Sequence, residues 1–364
     1  MQADSSPFKA RQARLQALLE ERRLPALVVT KPANIFYLTN FRGSAGVAVV
    51  GPPKPVLWVD PRYTVQARGS AEGVQVREEK GRLLEAVARW LTSKRLRRVG
   101  YEDSHLTCRG LRELKETGDG RLRFRPSSGL IEDLRSVKDI DEISRIREAG
   151  HLTAAVLGEV IGKIRPGVRE SEVVAEIEYR MRRRGAEGPA FETIVASGPR
   201  AALPHARASA KPLARSELVI LDLGAILAGY RADMTRTIYV GEPSRRVRRL
   251  YDAVLEGQAC AIEALRDGVR AMDVDAAARK ALRRRGLARH FTHSTGHGVG
   301  LEIHEGPRLG RGEKTRLKSG CVVTAEPGIY LEGFGGIRIE DTVLVGSDGP
   351  EILTPAPKDL TFIS

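Results

Sequence analysis

The sequence predicts a mixed α+β protein, with a smaller α/β domain over residues 1–135 and an α+β domain over residues 136–364. Three observations carry this. A chain of 364 residues exceeds what one typical core organises and fits two domains. The first third alternates short apolar runs with amphipathic segments, whereas the remainder pairs long helical patterns with strand-like runs. Between them Pro126, Ser127, Ser128 and Gly129 loosen the pattern, which sets the boundary near residue 135.

In order along the chain, residues 7–23 carry Phe8, Leu15, Leu18 and Leu19 at helical spacing. Strand-like runs follow at residues 26–30, 35–38, 45–50 and 56–60, with Gly51-Pro52-Pro53 as a turn. A helix over 81–91, a strand over 97–102 and a helix over 108–115 complete the first domain. The second opens with a helix over 139–164, apolar at Ile143, Ile146, Ala149, Leu152, Val156 and Val160 and stopped by Pro166-Gly167. Further helices are predicted over 171–184, 244–265 and 271–285, with strands dominating the rest.

Composition excludes several classes. A hydrophobic content of 41% suits a folded globular protein. Apolar runs such as 45–50 and 218–221 are too short to span a bilayer, so no membrane role is expected. Residues 1–24 lack the continuous apolar stretch of a secretory signal. Cys108, Cys260 and Cys321 are few and far apart, which fits a reducing cytoplasm better than a disulfide framework. The net charge of +14 gathers in arginine runs at 182–184, 245–249 and 283–285. These lie on predicted helices without interleaved aromatics, so solvated helix faces explain them better than specific nucleic-acid binding.

Five residues of the second domain point to chemistry: Asp222, Asp233, His297, Glu326 and Glu340. Their four carboxylates lie in or beside apolar runs that read as buried strand. An unpaired buried carboxylate costs several kcal/mol, on the order of the effective desolvation penalty of an ion. Any one of them alone reads as a surface acid, but the set asks for cations. A turn centred on Leu227 and Ala228 would place Asp222 directly opposite Asp233 across an antiparallel pair. An oxygen-rich shell with one imidazole suits manganese, with cobalt or zinc as alternatives, and two such ions can clamp a tetrahedral intermediate. His293 and His297 share the i, i+4 spacing of helical zinc proteases, but Ser294 replaces the needed glutamate and Gly296, Gly298 and Gly300 oppose a helix. His205, after Pro204 in a loop, reads by itself as an exposed polar residue.

These residues resemble the pita-bread metallopeptidase family, in particular its Xaa-Pro branch. The segment from Asp222-Leu223-Gly224-Ala225 to Asp233-Met234-Thr235-Arg236-Thr237 is similar to the family's two-aspartate hairpin. Gly296-His297-Gly298-Val299-Gly300 with His304-Glu305-Gly306-Pro307-Arg308 resembles its histidine segment. Thr324-Ala325-Glu326-Pro327-Gly328 and Gly336-Ile337-Arg338-Ile339-Glu340-Asp341 resemble its glutamate segments. Asn34–Phe41 is similar to a creatinase-like N-terminal domain, which methionine aminopeptidases typically lack.

The resemblance implies a fold and a set of roles. A creatinase-like domain would precede a pita-bread catalytic domain. Asp222 would hold one metal ion, Asp233 and Glu340 would bridge two, and His297 with Glu326 would complete the second. Glu326 would also be the general acid/base. His205 and His304 would orient the substrate and stabilise the oxyanion, and His293 would line the proline pocket. Arg308 and Arg338 would bind near the substrate's C-terminal side. The implied activity is hydrolysis of Xaa-Pro dipeptides, with Xaa-Pro aminopeptidase activity on longer peptides as the alternative. A metal-free peptide- or nucleic-acid-binding module is disfavoured because all five ligands are present. A homodimer is implied, with Tyr37 or Trp58 of one chain near its neighbour's pocket. Ala206 departs from the glycine that many relatives carry after the loop histidine.

Overall fold

The structure is a computed structural model that describes residues 6–52 and 54–363, so residues 1–5 of the segment read for a signal lie outside the described residues. The chain divides into two compact units, Met1–Arg135 and Ser136–Ser364.

In the first unit six strands form one sheet, in the order Gln75–Glu78, Val56–Val59, Gly46–Val50, Leu27–Val29, Arg98–Tyr101, Arg123–Pro126. Gly46–Val50 runs antiparallel to both of its neighbours, and the outer pairs are parallel. Val28, Val47, Val49 and Trp58 pack with Val87 and Leu91 of the helix Leu83–Ser93. The two sheet edges, Gln75–Glu78 and Arg123–Pro126, are mostly exposed and charged, which left them without an apolar signal in the sequence.

Residues 35–38 are not a strand. They belong to the helix Pro32–Thr39, entered through Pro32 and closed by Asn40 at φ 62°. Its residues from Asn34 to Thr39 are all buried. A short helix buried on every side shows no periodicity that separates it from a buried strand. Tyr37 and Trp58 are core side chains of this unit. They are 1% and 3% exposed, packed beside Arg11 and Trp90.

The second unit is built from two helix pairs, each covering strands. Ile140–Ile161 and Glu170–Arg183 pack on the sheet formed by Ile194–Ser197, Glu217–Leu223 and Met234–Val240. Arg245–Ala264 and Ala271–Arg284 pack against Val322–Ala325 and Asp341–Val345, which lie in a separate five-stranded sheet. Each buried Leu, Val or Ile in these layers contributes roughly 1.5–3 kcal/mol. The first helix starts where Asp139 accepts from Glu142 N–H and Glu142 returns the bond, and it ends at Gly162, one turn before Pro166. Part of the arginine-rich helix surface carries counter-ions. Glu159 takes Arg180 and Arg184, and Glu256 takes Arg284 and Arg285. Among the described residues no helix is long and apolar enough to cross a membrane.

Candidate metal centre

The hairpin that carries the two aspartates differs from the expected register. Ala228 and Gly229 form its turn, both with positive φ (49° and 82°), and Leu227 pairs with Tyr230. Asp222 therefore lies opposite Thr235, not opposite Asp233. The pairings of Leu223 with Met234 and of Ile226 with Arg231 set Asp233 diagonal to Asp222, across from Gly224. The slip is two residues, one full side-chain period, so both carboxylates still point to the same face.

The remaining donors arrive at strand ends. Glu326 follows Val322–Ala325 and its N–H donates to Thr295 O at 2.8 Å. Glu340 precedes Asp341–Val345, and its N–H donates to Thr235 O at 3.1 Å. His297 sits in the short strand Gly296–Gly298. A Cβ on Gly296 would lie 2.0 Å from Thr324 O and one on Gly298 would lie 2.2 Å from Gly306 O, so only glycine lets the chain pass on either side of His297.

Donor atoms of Asp233, His297 and Glu340 lie within 4.8 Å of one another. His297 Nε2 is 3.6 Å from Asp233 Oδ2 and 3.4 Å from Glu326 Oε1. His297 Nδ1 lies 3.1 Å from Gly298 O, so the ring proton sits there and Nε2 presents its lone pair to the carboxylates. Burial lowers the pKa of this ring to about 4, which keeps it neutral. Burial also raises Glu326 to about 8. Asp233 and Glu340 are pushed well above the ordinary carboxylate range, first by burial and then by neighbouring carboxylates. Asp222 Oδ2 accepts from Arg338 Nη2 at 2.6 Å, while its Oδ1 is buried with no hydrogen-bond partner. A buried orphan carboxylate oxygen beside three proton-hungry carboxyls and an imidazole lone pair fits a divalent cation site.

These five donors, with His205, His293, His304, Arg308 and Arg338, line one cavity of about 760 Å³. His304 stands edge-on to His297, with ring centroids 4.4 Å apart. His293 Nδ1 lies 2.8 Å from Ser294 O, so its Nε2 accepts from Tyr330 OH at 2.9 Å. Burial lowers His293 to about 4. Arg338 is 3% exposed and divided among Asp222, Thr235 Oγ1, Tyr330 OH and Pro204 O. Arg308 is exposed, its Nε 3.4 Å from Ser294 Oγ. His151 and His290 do not line the cavity.

Two contributors were assigned no role from the sequence. Tyr330 links Arg338 to His293, a contact that exists only after folding. Glu170, wholly buried at the start of its helix, secures both ends of the loop that carries His205. Ser197 N–H and Oγ donate to Glu170 Oε1 at 2.8 and 2.9 Å, and Ser209 N–H and Oγ donate to Oε2 at 3.0 and 2.7 Å. Arg200 Nε adds a bond of 3.1 Å. Burial opposes the charge on Glu170, but these bonds outweigh it and hold the pKa below the ordinary glutamate value. Ala206, where glycine was anticipated, sits buried inside this tethered loop.

The sequence matches the family model described as Metallopeptidase family M24 over residues 144–347, and the Creatinase/Prolidase N-terminal domain over 11–137. The chain belongs to metallopeptidase family M24. Within M24 it is 37% identical to an Xaa-Pro dipeptidase of Pyrococcus furiosus, over 97% of this chain and 100% of the relative. A structure described as Xaa-Pro dipeptidase from Bacillus anthracis matches with TM-score 0.95 and 38% identity, covering 98% of this chain and 100% of that one. An X-Pro aminopeptidase from Thermotoga maritima matches with TM-score 0.90 and 35% identity, covering 97% and 100%. With these pita-bread neighbours, the M24 chain is a creatinase-type N-terminal domain followed by a catalytic domain.

Two outcomes follow for the M24 protein. A carboxyl whose folded-state pKa exceeds its unfolded value stabilises the fold at low pH, and that stability is lost as pH rises through the folded value. The chelated protein therefore loses stability as pH climbs from 4.5 to about 8, the interval set by Glu326. Added manganese should raise the thermal midpoint by an amount that grows over the same interval. A gain that shrinks with pH would contradict protonation of the empty cluster. Separately, Glu170→Gln should lower kcat about tenfold through a misplaced loop, with metal content unchanged by elemental analysis.

Proposed function

We propose that this M24 peptidase is a dinuclear-metal hydrolase that splits Xaa-Pro dipeptides. The observation that carries the reading is the convergence of Asp222, Asp233, His297, Glu326 and Glu340 on one cavity, with Asp222 Oδ1 buried and unpartnered. These residues would hold two divalent ions, manganese foremost given the carboxylate-dominated shell. Bound there, the ions supply Lewis acidity that polarises the scissile carbonyl and acidifies water.

The chain's own groups supply the rest. A prolyl bond is a tertiary amide with no N–H, so its nitrogen leaves only after receiving a proton. Glu326, buried among the donors with Oε1 3.4 Å from His297 Nε2, serves as general acid/base, taking a proton from water and passing it to the prolyl nitrogen. His293 is neutral and packs edge-on to Phe291, ring centroids 5.1 Å apart, giving the pyrrolidine ring an uncharged wall. His205 and His304 face the same cavity, placed to donate to the carbonyl oxygen as it gains charge. Arg308 can bind the proline carboxylate bidentately. Arg338 acts from behind, holding Asp222 rather than meeting the substrate with a free fork. The dipeptidase relatives support this choice, and a cytoplasmic homodimer belongs to the same reading. The Thermotoga maritima aminopeptidase favours a second one, in which the exposed Arg308 side of the cavity lining admits longer peptides.

Exhaustive chelation should abolish hydrolysis of Ala-Pro, and manganese or cobalt should restore it. Full activity without metal would refute the mechanism. Glu326→Gln should cut kcat by roughly 10²–10⁴ while the circular dichroism spectrum is retained. Steady-state kinetics should give a larger kcat/KM for Ala-Pro than for Ala-Pro-Gly-Gly, and the reverse order selects the aminopeptidase reading.

A further inference from the structure

A second cavity of about 480 Å³ adjoins the catalytic one, and His293, Ser294 and Arg308 line both. Its walls carry Arg279, Arg289, Arg308 and Arg311 against a single acid, Glu313. Arg279 is already committed. It pairs with Asp275 at 2.8 Å and donates to the carbonyls of Phe291 and His293. Glu313 is turned to its own turn, accepting from Thr315 Oγ1 at 2.6 Å and from its N–H at 3.2 Å. Among the described residues Arg289 and Arg311 form no ion pair with a carboxylate, and Arg308 interacts with Glu313 only through space, without a bonded contact. Arg289 bonds only to the ring of His290, and Arg308 bonds only to Ser294 Oγ. Elsewhere in the domain Glu159 and Glu256 each take two helix arginines; what marks the groove is that its arginines converge on one concavity.

We propose that this groove binds an acidic residue placed directly after the scissile proline, so that the enzyme also trims short Xaa-Pro peptides bearing a carboxylate there. The proposal rests on the Xaa-Pro reading above. In a dipeptide the proline carboxylate is the terminal anion and meets Arg308. When the chain continues, that group becomes an amide, and the next anions lie one residue further out, about 3.3–3.6 Å along an extended chain. They are the new C-terminus and, for Asp or Glu, a side-chain carboxylate. Arg289 and Arg311 line the path they enter. Guanidinium forks match carboxylates in geometry as well as charge. One exposed pair gives little, but convergent arginines in a concave groove give more.

The test compares Ala-Pro, Ala-Pro-Glu, Ala-Pro-Gln and Ala-Pro-Lys with the full-length wild-type enzyme and an Arg289→Gln/Arg311→Gln double variant, both supplied with manganese. Glu and Gln have nearly the same shape, so their ratio reads charge. Wild-type kcat/KM should favour Ala-Pro-Glu over Ala-Pro-Gln by about tenfold, disfavour Ala-Pro-Lys, and lose the preference as salt is raised. The double variant should lose that preference while splitting Ala-Pro as wild type does, which also shows that it folds. Normal splitting of Ala-Pro without a Glu preference, or a preference that survives in the double variant, overturns the groove alone. Failure of the wild type to split any of the four peptides overturns the Xaa-Pro reading, and the groove proposal with it.

Discussion

Mutual repulsion among buried carboxylates governs the catalytic domain. Two like charges about 4 Å apart cost on the order of 4 kcal/mol even at an effective dielectric constant near 20. Asp222, Asp233, Glu326 and Glu340 share one cavity, so protons or cations must sit among them. Other features follow from that. His297 is kept neutral so that its lone pair joins the acids as a donor. Thr235 Oγ1 donates to Glu340 Oε2 at 2.6 Å, fixing one carboxylate oxygen and leaving the other for the cavity. Backbone ties from Glu326 to Thr295 and from Glu340 to Thr235 keep repulsion from separating the strands that deliver the acids.

The cation on the protein side is Arg338, and its partners define its task. It is bonded to Asp222, Thr235 and Tyr330, and Tyr330 continues to His293. The guanidinium thus connects the donor cluster to the wall expected to receive proline. A buried arginine committed this way has no fork free for a ligand carboxylate, whereas Arg308 at the cavity mouth has one. In the sequence both arginines were expected near the substrate's C-terminal side, Arg308 in the histidine segment and Arg338 in a glutamate segment.

What the sequence made legible follows from how locally each feature is encoded. The long helices are marked by Asp139, Ser244 and periodic apolar residues, and their ends fall within a few residues of expectation. The grouping of the five candidate donors was legible because four acids in apolar surroundings have few physical explanations, and all five line one cavity. The hairpin register was misread by two residues because Ala228-Gly229 is an unusual turn pair, yet the shared face survived. Residues 35–38 were misread because burial on all sides erases periodicity. Glu170 and Tyr330 stayed hidden because their importance lies in contacts with residues far along the chain. Glu170 meets Ser197 and Ser209, and Tyr330 meets His293.

The donors come from two different sheets. Asp222 and Asp233 belong to the hairpin of the four-stranded sheet, whereas His297, Glu326 and Glu340 sit on or beside strands of the five-stranded one. An ion held between Asp233 and Glu340 would close a chain loop of about a hundred residues, a constraint of the kind a cross-link imposes on the unfolded state. Cys108, Cys260 and Cys321 are all unbridged. In this chain, coordination chemistry can thus supply the covalent-like fastening that extracellular proteins obtain from sulfur.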